Sequence, residues 1–131
     1  MSARRKKPTT YVPTEHAEQV ALMRWAVDAA QEQPELILLF AIPNGGQRHR
    51  LVAAKLRAEG VRRGVPDLFL PVARGRHHGL FVELKRLRGG QVSPDQKIWL
   101  QVLAGQGYQV AICAGWEAAR RVLVDYLSTS P

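Results

Sequence analysis

Two apolar segments joined by a short polar turn constrain this chain most. Gly64-Val65-Pro66-Asp67-Leu68-Phe69-Leu70-Pro71 is followed, across Ala73-Arg74-Gly75-Arg76-His77-His78, by Gly79-Leu80-Phe81-Val82-Glu83-Leu84-Lys85. Apolar runs of this length bounded by Gly and Pro read as strands, and the short connection makes them a hairpin. Yet the first strand opens with Asp67, and the second carries Glu83 and Lys85 within its apolar run. Alternation places Phe81, Glu83 and Lys85 on one face and Leu80, Val82 and Leu84 on the other. A turn symmetric about Gly75 sets Asp67 opposite Glu83, with Cβ atoms about 5 Å apart, where two anions destabilise a sheet. A slip of one residue would reverse the faces. Buried charge is costly unless something compensates it, so the compensating group is the functional question.

The remaining elements follow from caps, periodicity and breakers. A first helix starts after Pro13 with Thr14 as N-cap, and its stripe Leu22, Trp25, Ala29 runs back through Glu18 and Glu15. Leu36-Ile37-Leu38-Leu39-Phe40-Ala41-Ile42 is a continuous apolar run, the pattern of a strand covered on both faces. Pro43-Asn44-Gly45-Gly46 ends it, and a second helix runs from Arg48 to Glu59, stopping at Gly60. After the hairpin, Pro94 opens a third helix with Gln96, Trp99, Leu100 and Leu103 on one face. Tyr108-Gln109-Val110-Ala111-Ile112-Cys113 is a strand, and Trp116 to Leu127 a closing helix. The order α-β-α-β-β-α-β-α gives an α/β fold, a mixed four-stranded sheet flanked by helices. One domain spans residues 14–127, between a basic arm (1–13) and a short tail (128–131).

Bulk properties narrow the partners. No apolar run reaches membrane-span length and no signal-peptide pattern opens the chain. The single cysteine, Cys113, excludes an intramolecular disulfide, fits a reducing, cytoplasmic setting, and reads as a buried thiol rather than a nucleophile. A net charge of +8 favours polyanions. Four of those charges are Arg4, Arg5, Lys6 and Lys7; a solubilising tail is the alternative for that arm. Arg48, His49, Arg50, Lys55, Arg62 and Arg63 form a basic cluster, readable as a phosphate track or as a solvated helix face. Asn44-Gly45-Gly46 could let backbone amides approach a phosphate. His77 and His78 lack zinc-site spacing and read as loop polarity. Trp25, Trp99 and Trp116 fall at helical core spacing, which favours packing over base stacking.

Two facing carboxylates joined by a helix-borne third make a hard oxygen site for Mg²⁺ or Mn²⁺. Lys85, two residues along, can hold a phosphate. Metal-assisted hydrolysis of a phosphodiester needs this equipment. The alternative is a Glu83–Lys85 or Asp67–Lys85 salt bridge at a sheet end. A second Pro-Asp, Pro94-Asp95, starts a helix with no Glu-x-Lys after it, so context rather than the dipeptide distinguishes Asp67.

With these residues in place, the chain resembles the VRR-NUC family of the PD-(D/E)xK superfamily. The resemblance runs through Thr14-Glu15-His16-Ala17-Glu18-Gln19, Ile42-Pro43-Asn44-Gly45-Gly46, Gly64-Val65-Pro66-Asp67-Leu68, Gly79 to Lys85, Ser93-Pro94-Asp95-Gln96-Lys97-Ile98-Trp99 and Gly107-Tyr108. It implies a restriction-endonuclease-like core and a Mg²⁺- or Mn²⁺-dependent DNA endonuclease. Asp67, Glu83 and the Leu84 main-chain carbonyl would be metal ligands and Lys85 the catalytic cation. The first-helix glutamate, a further metal ligand and catalytic residue, falls on Glu15, with Glu18 as the alternative, and Gln96 occupies a catalytic position of the family pattern. Stand-alone phage and bacterial members resemble Holliday-junction resolvases and act as homodimers on branched DNA. DNA contacts would come from Asn44, Gly45, Arg48, Arg50, Lys55, Arg62 and Arg63. Two readings compete with this one: a same-fold nuclease that cuts plain duplex or single strands, and a basic nucleic-acid-binding domain that does not cut.

Overall fold

The computed structural model describes residues 11–44 and 50–131. Gly45, Arg48 and the first ten residues of the basic arm lie outside them. The elements follow the expected order: α1 (Glu15–Ala29), β1 (Phe40–Ala41), α2 (Arg50–Ala58), β2 (Leu68–Leu70), β3 (Leu80–Lys85), α3 (Pro94–Gly105), β4 (Gln109–Ala114) and α4 (Trp116–Ser128). One sheet holds the strands in the order β1-β2-β3-β4. β1–β2 and β2–β3 are antiparallel, and β3–β4 is parallel because α3 carries the chain back to the starting end.

Alternation divides the sheet into two unlike faces. Leu68, Leu70, Leu80, Val82 and Leu84 point to one side and are completely or almost completely buried. They meet Leu22 and Ala26 of α1 and Ala119, Leu123 and Tyr126 of α4. Phe69, Phe81, Glu83 and Lys85 point to the other side, where Gln96 of α3 reaches Glu83 and Lys85. The first face is the core. The second carries the charges.

Local chemistry accounts for most boundaries. Thr14 caps α1 through its hydroxyl, which accepts from the Ala17 N–H at 3.1 Å. α4 begins at Gly115, which has no side chain to cap it. The Glu18 carboxylate does so from α1, accepting from the Trp116 N–H at 2.7 Å. A buried acid thus serves as a cap borrowed from another helix, at an end whose dipole favours negative charge.

One expected element is corrected. The Leu36–Ile42 run is not a doubly covered strand. It forms a short 3₁₀ helix, Pro34–Leu38, and then the two-residue β1. Pro34 presets the φ of a helical first turn, and β1 lies at the sheet's edge, so Ile37, Leu38 and Phe40 remain exposed. Apolarity alone does not separate a central strand from an edge. α2 runs over Arg50–Ala58 within the expected Arg48–Glu59 and buries none of its residues.

Candidate active site

The hairpin register determines which charges meet. Leu68 pairs with Val82, Phe69 with Phe81 and Leu70 with Leu80. One further step sets Asp67 opposite Glu83, as the turn about Gly75 predicted. Asp67 then replaces a ladder bond: its Oδ2 accepts from the Leu84 N–H at 2.8 Å, and its Oδ1 accepts from the Asn44 side-chain amide at 2.9 Å. Its carbonyl accepts from the Ile42 N–H at 2.8 Å. Asn44, expected to contact DNA, therefore orients Asp67 through its side chain.

The same register places Pro66 opposite Leu84. Proline has no N–H, so it cannot donate to the Leu84 carbonyl, which points toward β2. The orientation follows from the other edge of β3, where the Gly79 and Lys85 carbonyls accept from the Gln109 and Gly115 amides of the β4 side. Carbonyls at odd positions thus face β4 and those at even positions face β2. The Pro-Asp dipeptide ends the ladder beside a main-chain oxygen.

Glu83 is 1% exposed. Its Oε1 accepts from Gln96 Nε2 at 2.7 Å and stands 3.3 Å from Lys85 Nζ. Its Oε2 is buried with no hydrogen-bond partner. Gln96 is held from both ends, since its Oε1 accepts from Lys85 Nζ at 3.0 Å and from the Ser93 N–H at 2.9 Å. The Ser93 hydroxyl in turn accepts from the Gln96 N–H, completing a capping box at the start of α3. Sequence reasoning missed Ser93 as a site residue, though Ser-x-x-Gln before an apolar run is a legible capping signal.

Glu15 Oε1 lies 4.0 Å from Lys85 Nζ. The third carboxylate therefore stands against the lysine, and among the described residues no cluster of three or more His, Cys, Asp or Glu side chains could hold a metal. Glu18, the alternative first-helix acid, is committed to capping α4. Arg50, Lys55, Arg62 and Arg63 are all exposed. Arg63 faces Asp95 at 4.0 Å, and its carbonyl accepts from Trp99 Nε1 at 3.1 Å. That bond ties the basic loop to α3.

The charges do not balance. Asp67 and Glu83 face a single ammonium, and both carboxyls are raised above their ordinary range. For Asp67 burial is the main cause, opposed by the Leu84 N–H and the Lys85 charge. For Glu83 burial and then the Asp67 charge push the carboxyl up to about 8, against the pull of Lys85. The Glu83–Lys85 salt bridge exists, but it leaves one carboxylate and one buried oxygen uncompensated. Hard oxygen donors, a main-chain carbonyl without a ladder partner and an orphaned carboxylate oxygen fit a small divalent cation. The donor set counts two carboxylates, which is the number Mg²⁺ ordinarily takes from protein.

The VRR-NUC domain family matches residues 10–117, most of the chain, including every residue of this cluster. The chain belongs to the VRR-NUC family. A solved structure described as a VRR_NUC domain protein is 28% identical, with a TM-score of 0.76 over 90% of this chain and 91% of that one. No curated protein matches the chain. VRR-NUC membership makes this a nuclease-family domain and gives the pair of Asp67, just before β2, and Glu83 on β3 its context. Cys113 is buried, and desolvation raises its thiol to about 11, so it is no nucleophile. Trp25 and Trp116 pack against the core. His78 meets the Tyr108 ring edge-on at a centroid distance of 5.7 Å. Among the described residues no helix is long and apolar enough to cross a membrane.

Proposed function

We propose that this VRR-NUC domain is a Mg²⁺- or Mn²⁺-dependent DNA endonuclease, selective for branched DNA such as a four-way junction, acting as a homodimer in a reducing cytoplasm. The observation that carries the reading is Glu83 Oε2, a buried carboxylate oxygen without a partner, facing a second carboxylate across the hairpin.

Asp67, Glu83 and the Leu84 carbonyl would hold the cation, which when bound supplies Lewis acidity toward a phosphoryl oxygen. The chain's own groups do the rest. Lys85, fixed by Glu83 and Gln96, offers its ammonium where negative charge grows on the phosphate during cleavage. Gln96 keeps Glu83 and Lys85 in one orientation, and Ser93 keeps Gln96 in place. Glu15 restricts the direction of the ammonium from the solvent side. Arg50, Lys55, Arg62 and Arg63, with Asn44, Gly45 and Arg48, would seat the phosphate backbone.

The test is a panel of end-labelled four-way junction, fork, flap, linear duplex and single-stranded DNA, each with Mg²⁺, Mn²⁺ or EDTA. The proposal expects metal-dependent, paired nicks near the branch point of the junction. Equal cutting of every substrate would refute branch selectivity. Retained binding without cutting in any metal would refute the nuclease itself.

A further inference from the structure

The chain has three phenylalanines, Phe40, Phe69 and Phe81, and all of them stand on the charged face of the sheet. Phe40 pairs with Phe69 and Phe69 with Phe81, so the three share one side and form a row across β1, β2 and β3. Phe69 and Phe81 stack, with centroids 4.2 Å apart and planes 18° from parallel. Phe40 meets Phe69 edge-on at 5.7 Å. Tyr108, just ahead of β4, meets Phe69 and Phe81 edge-on at 5.8 and 5.2 Å. On the core face, by contrast, the largest fully buried side chains are leucines and Val82.

Burial alone does not explain this segregation, because exposure rises outward along the row. Phe81 is 9% exposed, Phe69 is partly exposed, and Phe40 is 47% exposed. α3 covers β4 on this face, and among the described residues it makes no comparable approach to β1 or β2. The acid pair lies one step along the same strands. Asp67 precedes Phe69 by two residues and Glu83 follows Phe81 by two, about 7 Å along the chain in each case.

We infer that Phe40 and Phe69 form a stacking platform for an unpaired nucleobase of the substrate strand. Every nucleobase offers a flat π-face, and aromatic side chains hold single strands by stacking on it. A base stays within one nucleotide's reach of its own phosphate, so a base on this platform brings the adjoining phosphodiester beside Asp67 and Glu83. Phe40, the most open of the three rings, supplies the outer contact. The net charge of +8 favours a polyanion over an uncharged peptide as the occupant. The rings add what charge lacks, since they distinguish a free base from a paired one whose faces are covered by its neighbours in the duplex. Branched DNA offers such bases where its arms part. The place of the scissile phosphate rests on the nuclease reading; the stacking does not.

Fluorescence anisotropy in EDTA, where no metal-dependent cutting intervenes, tests the platform with three labelled ligands: oligothymidylate, an abasic phosphodiester chain of equal length, and a duplex. The first two carry the same charge and differ only in their bases. The wild type is expected to prefer oligothymidylate to the abasic chain by roughly 5- to 150-fold. Phe40→Leu keeps an apolar side chain on β1 and removes the ring. It should lose most of that preference with its affinity for the abasic chain and the duplex unchanged, whereas Phe40→Trp should keep it. Equal wild-type affinity for the two chains, or a preference that Phe40→Leu retains, overturns the inference. So does a uniform loss of affinity for all three ligands in Phe40→Leu, which would mark the residue as structural. A preference abolished by Phe40→Leu, with no junction cutting in any metal, would uphold the platform and refute the nuclease. Metal-dependent cutting with equal affinity for both chains would do the reverse.

Discussion

At Glu83 a carboxylate sits where water barely reaches it, beside a second carboxylate, with one oxygen unpartnered. Its carboxyl, ordinarily near 4.5, is raised to about 8, so the folded protein holds a proton there that the unfolded chain releases. The native state then binds more protons than the unfolded state, and this group makes apo stability fall as pH rises from about 4.5 to 8. Thermal melts in EDTA across that window should show the decline. Added Mn²⁺ should reverse it most strongly at the alkaline end, where less proton has to be displaced. Glu83→Gln keeps an acceptor for Gln96 and Lys85 and removes the repulsion with Asp67. It should raise the apo melting temperature at pH 8 by roughly 4 °C, a gain on the order of 1 kcal/mol, while abolishing cation-dependent stabilisation. An apo melting temperature that falls would instead mark Glu83 as half of a purely structural ion pair. Lys85→Met preserves the stem and removes the charge, so it should lower kcat by about 10²–10³-fold, as removal of a transition-state stabiliser does.

The hairpin, α1, α3 and α4 were legible because each carries a local signal. Gly75 and Arg76 make the turn between Arg74 and His77, and Thr14 and Ser93 cap their helices. The charges on β3 fall on one face by alternation, and so the pairing of Asp67 with Glu83 could be read before any coordinates. The Leu36–Ile42 segment could not, because its apolar residues answer to an edge position and a 3₁₀ turn that only the assembled sheet reveals. Glu18 was ambiguous for a related reason: its partner, the Trp116 N–H, lies 98 residues away. The first-helix acid near Lys85 is Glu15, and distance in space rather than helical phase distinguishes the two. Two substitutions probe this level. Gly64 has φ +89°, and a Cβ there would lie 2.8 Å from the Asp95 backbone, so Gly64→Ala should cost about 2 kcal/mol and be visible in thermal melts. Pro66→Ala restores an N–H opposite the Leu84 carbonyl. Pro66 is fully buried, so the truncation should also lower the apo melting temperature. The readout is the Mn²⁺-induced shift relative to each variant's own apo value: it should shrink, and an undiminished shift would remove Leu84 from the ligand set.

Across the whole molecule, one face of the sheet holds the core and the other carries the charges proposed to be reactive. The core face is sealed by α1 and α4. The charged face is met by α3, which contributes Gln96. The net charge of +8 favours association with a polyanion. DNA affinity should therefore fall steeply with salt. Deleting residues 2–7 should flatten that slope by as much as about 3–4 in log–log units if all four basic side chains meet phosphates, whereas an unchanged slope would make them a solubilising tail.

The measurement that bears most directly on the central claim is cleavage of a labelled four-way junction by wild type, Glu83→Gln and Lys85→Met in Mg²⁺, Mn²⁺ and EDTA, with folding of each variant verified. The account predicts cleavage by the wild type in Mg²⁺ or Mn²⁺, none in EDTA, and none from folded Glu83→Gln in either metal. Undiminished cutting by Glu83→Gln, or cutting by the wild type in EDTA, would contradict it.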